Sequence, residues 1–275
     1  MIFAGYMGEF GWEITSFYPK IVGLSEAGKQ IELHTFPTSY GLYADLPGVI
    51  CEDNGFKYSA SFEGRSATYP DIDLSKYDDV LIPHDNRTTL RRVVERRRCI
   101  REDILPATDV PRCVVVHSRK CSSHPKRSKR FRDWHPRYNE VFEVFARRGL
   151  HVYFIGDPDR SEAYPEYGTD VRGEGFDRQL SILKASVLCF GPSSGTQPLA
   201  QWCGVPVFTW GDNKARTFLI SKLAPIWNPF GIATYHPWQR NPSRVNIVNK
   251  YMNERYKPTT QELVDGLEYT LDHMA

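Results

Sequence analysis

The chain has 275 residues, 41% hydrophobic and 13% aromatic, with 35 Lys+Arg against 33 Asp+Glu. That apolar content supports a sizeable core and excludes a disordered protein, while no run approaches the roughly 18–20 apolar residues that cross a bilayer. The formal charge of +2 hides an uneven distribution: Arg87 to Arg137 holds 16 Lys/Arg and 5 Asp/Glu, and the rest is net acidic. A basic block in an otherwise acidic chain points to an anionic ligand.

In chain order, residues 1–6 predict a buried strand that runs into a glycine-containing loop. A helix follows, carrying Trp12, Ile14, Phe17, Ile21 and Leu24 and ended by Gly28. Residues 31–36 and 79–83 predict strands, and 88–101 an arginine-rich helix; 37–70 is rich in Gly, Tyr, Ser and Pro and carries no assignment. After a proline-flanked linker at 106–111, CVVVH at 113–117 reads as a strand buried on both faces of a parallel sheet. Then come a polar loop, a helix at 137–148, a strand at 151–155, a helix at 176–185, a strand at 187–190, a helix at 195–203 and a strand at 205–210. Leu263, Leu267 and Leu271 mark a last amphipathic helix at 259–274. Strands alternating with helices imply βαβ units, so the expected fold is α/β with two Rossmann-like halves and a C-terminal helix. The expected domains are 1–108 on the acceptor side, 109–257 binding the nucleotide sugar, and 258–275 packing back on the first half. Loops at the carboxyl ends of the strands (7–13, 117–134, 156–159, 191–196 and 210–214) should converge on a ligand cleft. The amino-terminal residues have no basic n-region and no long apolar stretch, so no secretory leader is expected. Six cysteines without a CxxC pair fit reduced thiols and a cytoplasmic location.

The sharpest local pattern is FGPSSGTQPLAQWCGVPVFTWG at 190–211. A strand meets a small-residue loop that opens a helix, so Ser193, Ser194, Gly195 and Thr196 offer N–H groups and hydroxyls to a phosphate. The same residues also fit a simple N-cap with a glycine turn. The segment from LSILKAS through this run resembles the donor side of GT-B glycosyltransferases, in particular the ADP-heptose heptosyltransferase family. KRFRDWHPRYNEVFEVFARRGLHVYFIGDPD is similar to that family's Lys/Arg–Trp stretch and following helix and strand, and GYMGEFGWEITSFYPKIVGL resembles its first loop and helix. The three matches fall in family order. They depart from it at Gly191-Pro192, where the family has an acid before Ser/Thr-Gly, and at Gly8-Glu9, where it has Gly-Asp. His117-Ser118-Arg119 also resembles the His-x-Arg of GT-B fucosyltransferases.

The resemblance implies a nucleotide-diphosphate sugar as donor substrate, with no separate cofactor and no metal. Its donor-binding residues would be His117, Arg119, Lys126, Arg130, Gly156, Ser193, Ser194, Gly195, Thr196, Gln197, Trp210, Gly211 and Asp212. Arg or Lys in the seven-cation loop 119–132 would stabilise the departing diphosphate. Inverting transfer needs a base for the acceptor hydroxyl. Glu9 stands where the family's catalytic Asp does, and Glu13 is the second choice, with a helix-terminal charge as its structural reading. Trp12, His84, Asp85 and Arg87 are the acceptor-side candidates. Asp71-x-Asp73 and Asp157-x-Asp159 fit a short metal pattern that arises easily by chance, and Cys113, His117, Cys121 and His124 match no common zinc spacing. GxGxxG, P-loop and GxSxG patterns are absent from the sequence.

The expected function is therefore inverting, metal-independent sugar transfer to a hydroxyl of a glycan, lipid-linked or other anionic acceptor. Two alternatives stay open. One is a phage-type DNA glycosyltransferase acting on a hydroxylated base; the other is a non-catalytic nucleotide- or carbohydrate-binding module. The basic stretch would serve a nucleic-acid or membrane-surface contact.

Overall fold

The computed structural model describes residues 1–7, 10–55, 72–82, 99–120, 133–210, 228–237 and 258–274. The chain divides into two compact units, Met1–Asp103 and Ile104–Ala275. The boundary lies before the proline-flanked linker because that linker already belongs to the second unit. Ala107 N–H donates to Ser181 O at 3.0 Å, and Lys184 Nζ to Ile104 O at 2.9 Å.

The first unit begins with β1 (Ile2–Gly5), buried along its whole length. A helix over 10–26, α1, follows and winds as a π-helix over Glu13–Phe17. Proline explains the wide turn: Pro19 has no N–H to give Thr15 O, and the chain closes instead with Tyr18 N–H on Glu13 O. Ile14, Phe17 and Ile21 bury completely on its inner side. Next come β2 (Ile31–Thr35), β3 (Val49–Asp53) and β4 (Asp79–Leu81), which form a parallel sheet in the order β3-β2-β1-β4. Strand β3 lies in the stretch left unassigned above. It is an edge strand with Ile50, Glu52 and Asp53 exposed, so it carries no alternation of apolar and polar residues to read. Of the arginine-rich helix predicted at 88–101, residues 88–98 lie outside the described residues.

The second unit is built on β5 (Cys113–Val116), whose four side chains are all buried. A two-residue strand β6 (Ser118–Arg119), helix α2 (Glu140–Arg147), β7 (His151–Phe154), β8 (Ser161–Glu162), β9 (Thr169–Asp170), helix α3 (Phe176–Ala185), β10 (Leu188–Pro192), helix α4 (Thr196–Trp202), β11 (Val207–Trp210) and β12 (Thr234–Tyr235) follow. Six of these strands form a parallel sheet in the order β12-β11-β10-β5-β7-β9. Relative to β5 as the first strand, this is the 3-2-1-4-5-6 order of a doubly wound sheet, and its switch point lies between β5 and β10. The short β6 pairs antiparallel with β8 as a separate ribbon.

Strand alternation sorts the core. Val114, Val116, Val152, Phe154, Leu188, Phe190, Phe208 and Trp210 point to one face and pack with Val141, Phe142, Val144 and Phe145 of α2. The last helix, α5 (Thr260–His273), joins this same cluster through Leu263 and Leu267, both fully buried. Each leucine contributes about 1.5–3 kcal/mol by leaving water. Gly266 lets the helix meet the Pro237 backbone, which a Cβ would approach at 2.6 Å. Thr259 and Glu262 close a reciprocal capping box at its start.

Candidate active site

At the switch point the chain leaves β5 through His117 and β10 through Ser193 and Ser194. Both exits carry small residues because the backbones approach closely. At Gly191 (φ +154°) a Cβ would stand 2.5 Å from His117 O. At Gly156 (φ +118°), just past β7, it would stand 2.7 Å from His117 Cδ2. Neither position has room for a side chain.

His117 Nδ1 lies 3.0 Å from Ser194 Oγ. Ser194 Oγ and Ser194 N–H both donate to Gln197 Oε1 at 2.7 Å, and Gln197 Nε2 donates to Gly191 O at 3.3 Å. Arg119 Nη1 donates to Ser193 O at 3.0 Å, and Ser193 N–H donates to Trp210 O at 2.6 Å. One hydrogen-bonded patch thus contains His117, Arg119, Ser193, Ser194 and Gln197, with Gly156 against the imidazole and Gly195 and Thr196 opening α4. Thr196 N–H donates to Ser194 Oγ at 3.3 Å. Burial pushes the His117 imidazole down to about 3, and the charges of Arg119 and Arg172 push the same way. The ring is neutral at ordinary pH.

Three predicted residues take other roles. Trp210 shares a strand face with Phe208, so its ring lies in the aromatic core beside Phe190, Tyr138 and Trp134; only its carbonyl reaches the patch. Gln197 is fully buried and spends its amide inside the loop. Glu13 is fully buried in the first unit. Its Oε1 accepts from Thr35 Oγ1 at 2.6 Å and Tyr43 OH at 3.1 Å, and its Oε2 from Ser39 Oγ at 2.7 Å. Burial raises this carboxyl to about 7 against the opposing effect of the three hydroxyls. Such a group ties α1 to β2 and to the segment after it; it lacks the open approach a base needs, and it is no helix-terminal surface charge. Trp12, in the first turn of α1, is partly exposed. Glu9, His84, Asp85, Arg87, Lys126, Arg130, Gly211 and Asp212 lie outside the described residues.

Sequence reasoning passed over the support behind the patch. Gln179, on the inner side of α3, accepts Gly156 N–H at 2.8 Å and donates to Arg172 O and Glu174 O. Arg172 pairs with Asp170 and donates to Ser161 O. The β6–β8 ribbon is stitched by Lys120–Glu162 at 3.0 Å, by Tyr164 OH on Glu162 at 2.7 Å and by Ser118 Oγ on Glu162 O. The readable signal was Gln179 itself, a polar residue whose neighbours at three- and four-residue spacing, Phe176, Ile182 and Leu183, are apolar. Asp157 caps its own turn by accepting Asp159 N–H at 2.8 Å, which gives that pair a local structural role. Among the described residues, no three His, Cys, Asp or Glu side chains gather as metal ligands, and no helix is long and apolar enough to cross a membrane.

No protein-family model and no curated protein sequence matches the chain. Solved structures do. The fold is that of the heptosyltransferases. A family 9 glycosyltransferase from Veillonella parvula matches at TM-score 0.57 and 11% identity, over 98% of this chain and 96% of that one. E. coli heptosyltransferase WaaC with ADP matches at 0.53 and 9% identity, over 98% of each chain. The iron-containing heptosyltransferase TibC of enterotoxigenic E. coli, in complex with ADP-D-β-D-heptose, matches at 0.51 and 16% identity. The match covers 78% of this chain and spans 58% of TibC. At such identities the likeness carries the two-unit GT-B-like architecture.

Proposed function

We propose that the protein is a glycosyltransferase that moves a sugar from a nucleotide-diphosphate donor to a hydroxyl of an anionic acceptor, with inversion and without a metal. The observation that carries this reading is the patch at the β5/β10 switch point: Arg119 on the Ser193 carbonyl, the neutral His117 and the Ser194 hydroxyl meet where a doubly wound sheet takes its ligand. The leaving diphosphate gains negative charge as the glycosidic bond breaks. The partly buried guanidinium of Arg119, held on Ser193 O, supplies fixed positive charge to meet it. Inverting transfer also needs a base for the acceptor hydroxyl, and Glu9 is the carboxylate we assign to that role. The heptosyltransferase-like architecture supports the same reading.

The test is a screen of nucleotide sugars by thermal shift, followed by transfer and donor-hydrolysis assays. At least one nucleotide sugar should raise the melting temperature and turn over. Arg119→Ala should lower kcat about 10²–10³-fold, and Glu9→Gln should abolish turnover while leaving donor binding. A panel in which nothing binds and nothing turns over sinks the proposal. Binding without turnover points to a non-catalytic nucleotide or carbohydrate module. The block of 16 basic against 5 acidic residues favours one variant of the proposal, with hydroxylated DNA as the acceptor. Steeply salt-dependent DNA binding supports that acceptor, and absence of affinity at low salt removes it.

A further inference from the structure

A proton count fixes the tautomer of His117. Gln197 Nε2 is committed to Gly191 O, so Gln197 Oε1 is the atom facing Ser194. The flipped amide would turn its NH₂ group toward the Ser194 N–H, donor against donor. Because a carbonyl oxygen only accepts, the single hydroxyl proton of Ser194 goes to Gln197 Oε1 at 2.7 Å. Ser194 Oγ then has lone pairs alone for its neighbours. One takes Thr196 N–H at 3.3 Å, so the 3.0 Å contact to His117 must be Nδ1–H donating to Oγ. A neutral imidazole carries one ring proton, which leaves Nε2 a bare acceptor. His117 is 7% exposed, and Nε2 has no hydrogen-bond partner among the described residues. It faces Gly156, where a Cβ would stand 3.0 Å away.

We infer that His117 Nε2 is a specificity-determining acceptor: it takes the proton of a hydroxyl on the bound nucleotide sugar and turns phosphoryl oxygens away from that point of the site. A phosphoryl oxygen brings lone pairs and negative charge against a nitrogen lone pair. A hydroxyl brings a proton to that lone pair. Protonating the ring would let it serve a phosphate, but burial and the charges of Arg119 and Arg172 oppose that. The division of labour follows: guanidinium for the diphosphate, imidazole lone pair for a hydroxyl. This inference rests on the proposed donor reading for the source of the hydroxyl, while the tautomer stands on the proton count alone.

The experiment is ¹⁵N-imidazole NMR of the full chain with histidine labelled. Between about pH 5 and 8, His117 should remain in the neutral Nδ1–H form. Ser194→Ala should release the lock and populate Nε2–H. The nucleotide sugar with the largest thermal shift should move the Nε2 resonance without changing the tautomer, and inorganic pyrophosphate should not. His117→Phe should weaken that nucleotide sugar about 3–10-fold, the loss of one neutral hydrogen bond, and leave pyrophosphate affinity unchanged. An Nε2–H or cationic ring in the ligand-free protein overturns the inference, as does pyrophosphate hydrogen-bonded to Nε2. If no nucleotide sugar binds, the donor reading and the source of the hydroxyl fall together; the spectrum of the free protein still decides whether Nε2 is an acceptor.

Discussion

Each unit of the molecule buries a polar cluster around a titratable side chain, Glu13 in the first and His117 in the second, and these two clusters end differently. Around Glu13, three hydroxyls from three different positions converge on the two oxygens of a fully buried carboxyl. Around His117, the bonds run from Gly191 O through Gln197 and Ser194 and stop at the ring, whose Nε2 has no partner among the described residues. Buried polar groups are costly unless paired. A closed cluster of this kind serves the fold, and the open one is where we place a ligand hydroxyl.

The largest effect should come from breaking the closed cluster. Glu13→Ala leaves three buried hydroxyls without their acceptor and opens a cavity, so we expect a loss of at least about 3 kcal/mol in chemical denaturation. The clusters also pull stability in opposite directions with pH. The Glu13 carboxyl is raised from 4.5 to about 7, so the native state holds its proton over a range where the unfolded chain does not. Its contribution is complete below the unfolded value and drains away as pH rises through about 7; integrated over the shift, this amounts to about 3 kcal/mol. The His117 ring is lowered from 6.5 to about 3, so its neutral form is favoured and its contribution grows as pH climbs across that span. His117 is common to wild type and Glu13→Gln, so the difference between their curves isolates Glu13. Wild type should lose stability relative to Glu13→Gln mainly between about pH 4.5 and 7 and then level off; parallel curves across that window would break the assignment.

Closing the open cluster should cost less stability and more binding. Gly156→Ala puts a methyl 2.7 Å from His117 Cδ2 at a backbone angle that suits glycine. We expect about 1–3 kcal/mol of destabilisation and loss of the ligand-induced Nε2 shift. Gln179→Leu keeps the volume but removes the acceptor of Gly156 N–H. It should cost about 1–2 kcal/mol and weaken the nucleotide sugar that binds wild type, as isothermal titration would show.

Much of this arrangement was legible in the sequence, for reasons that differ by element. CVVVH reads as a central strand because burial on both faces demands an unbroken apolar run. Leu263 and Leu267 read as a core-facing stripe, but a stripe does not name its partner; the α2 surface was indistinguishable from any other apolar face. Edge strand β3 went unread because exposure frees it from alternation. In the site, Ser193–Thr196 and His117-Ser-Arg119 were visible as small or polar residues at strand ends. Whether a side chain there faces the ligand or the core depends on strand parity, which is why Trp210 looked like a ligand contact and is a core residue. Glu13 looked like surface chemistry because nothing local announces a π-turn that swings a carboxylate inward, except Pro19 six residues on.

The smallest expected effect sets the floor for the comparison. Glu268 on α5 also accepts three hydrogen bonds, one from Arg147 and two from Arg148. By count it equals Glu13. Its partners differ in exposure, the Arg147 side chain being 57% accessible and the Arg148 side chain 35%. Water replaces the lost bonds when an exposed pair is removed, and salt screens what Coulomb attraction remains. Glu268→Gln should therefore change stability by less than about 1 kcal/mol, and that change should shrink further at high salt. Chemical denaturation of the two variants, Glu268→Gln and Glu13→Ala, at low and high salt makes the comparison direct. A loss for Glu268→Gln as large as that for Glu13→Ala would mean that the number of bonds, and not their burial, sets the cost. The distinction between closed and open buried clusters would then lose its energetic basis.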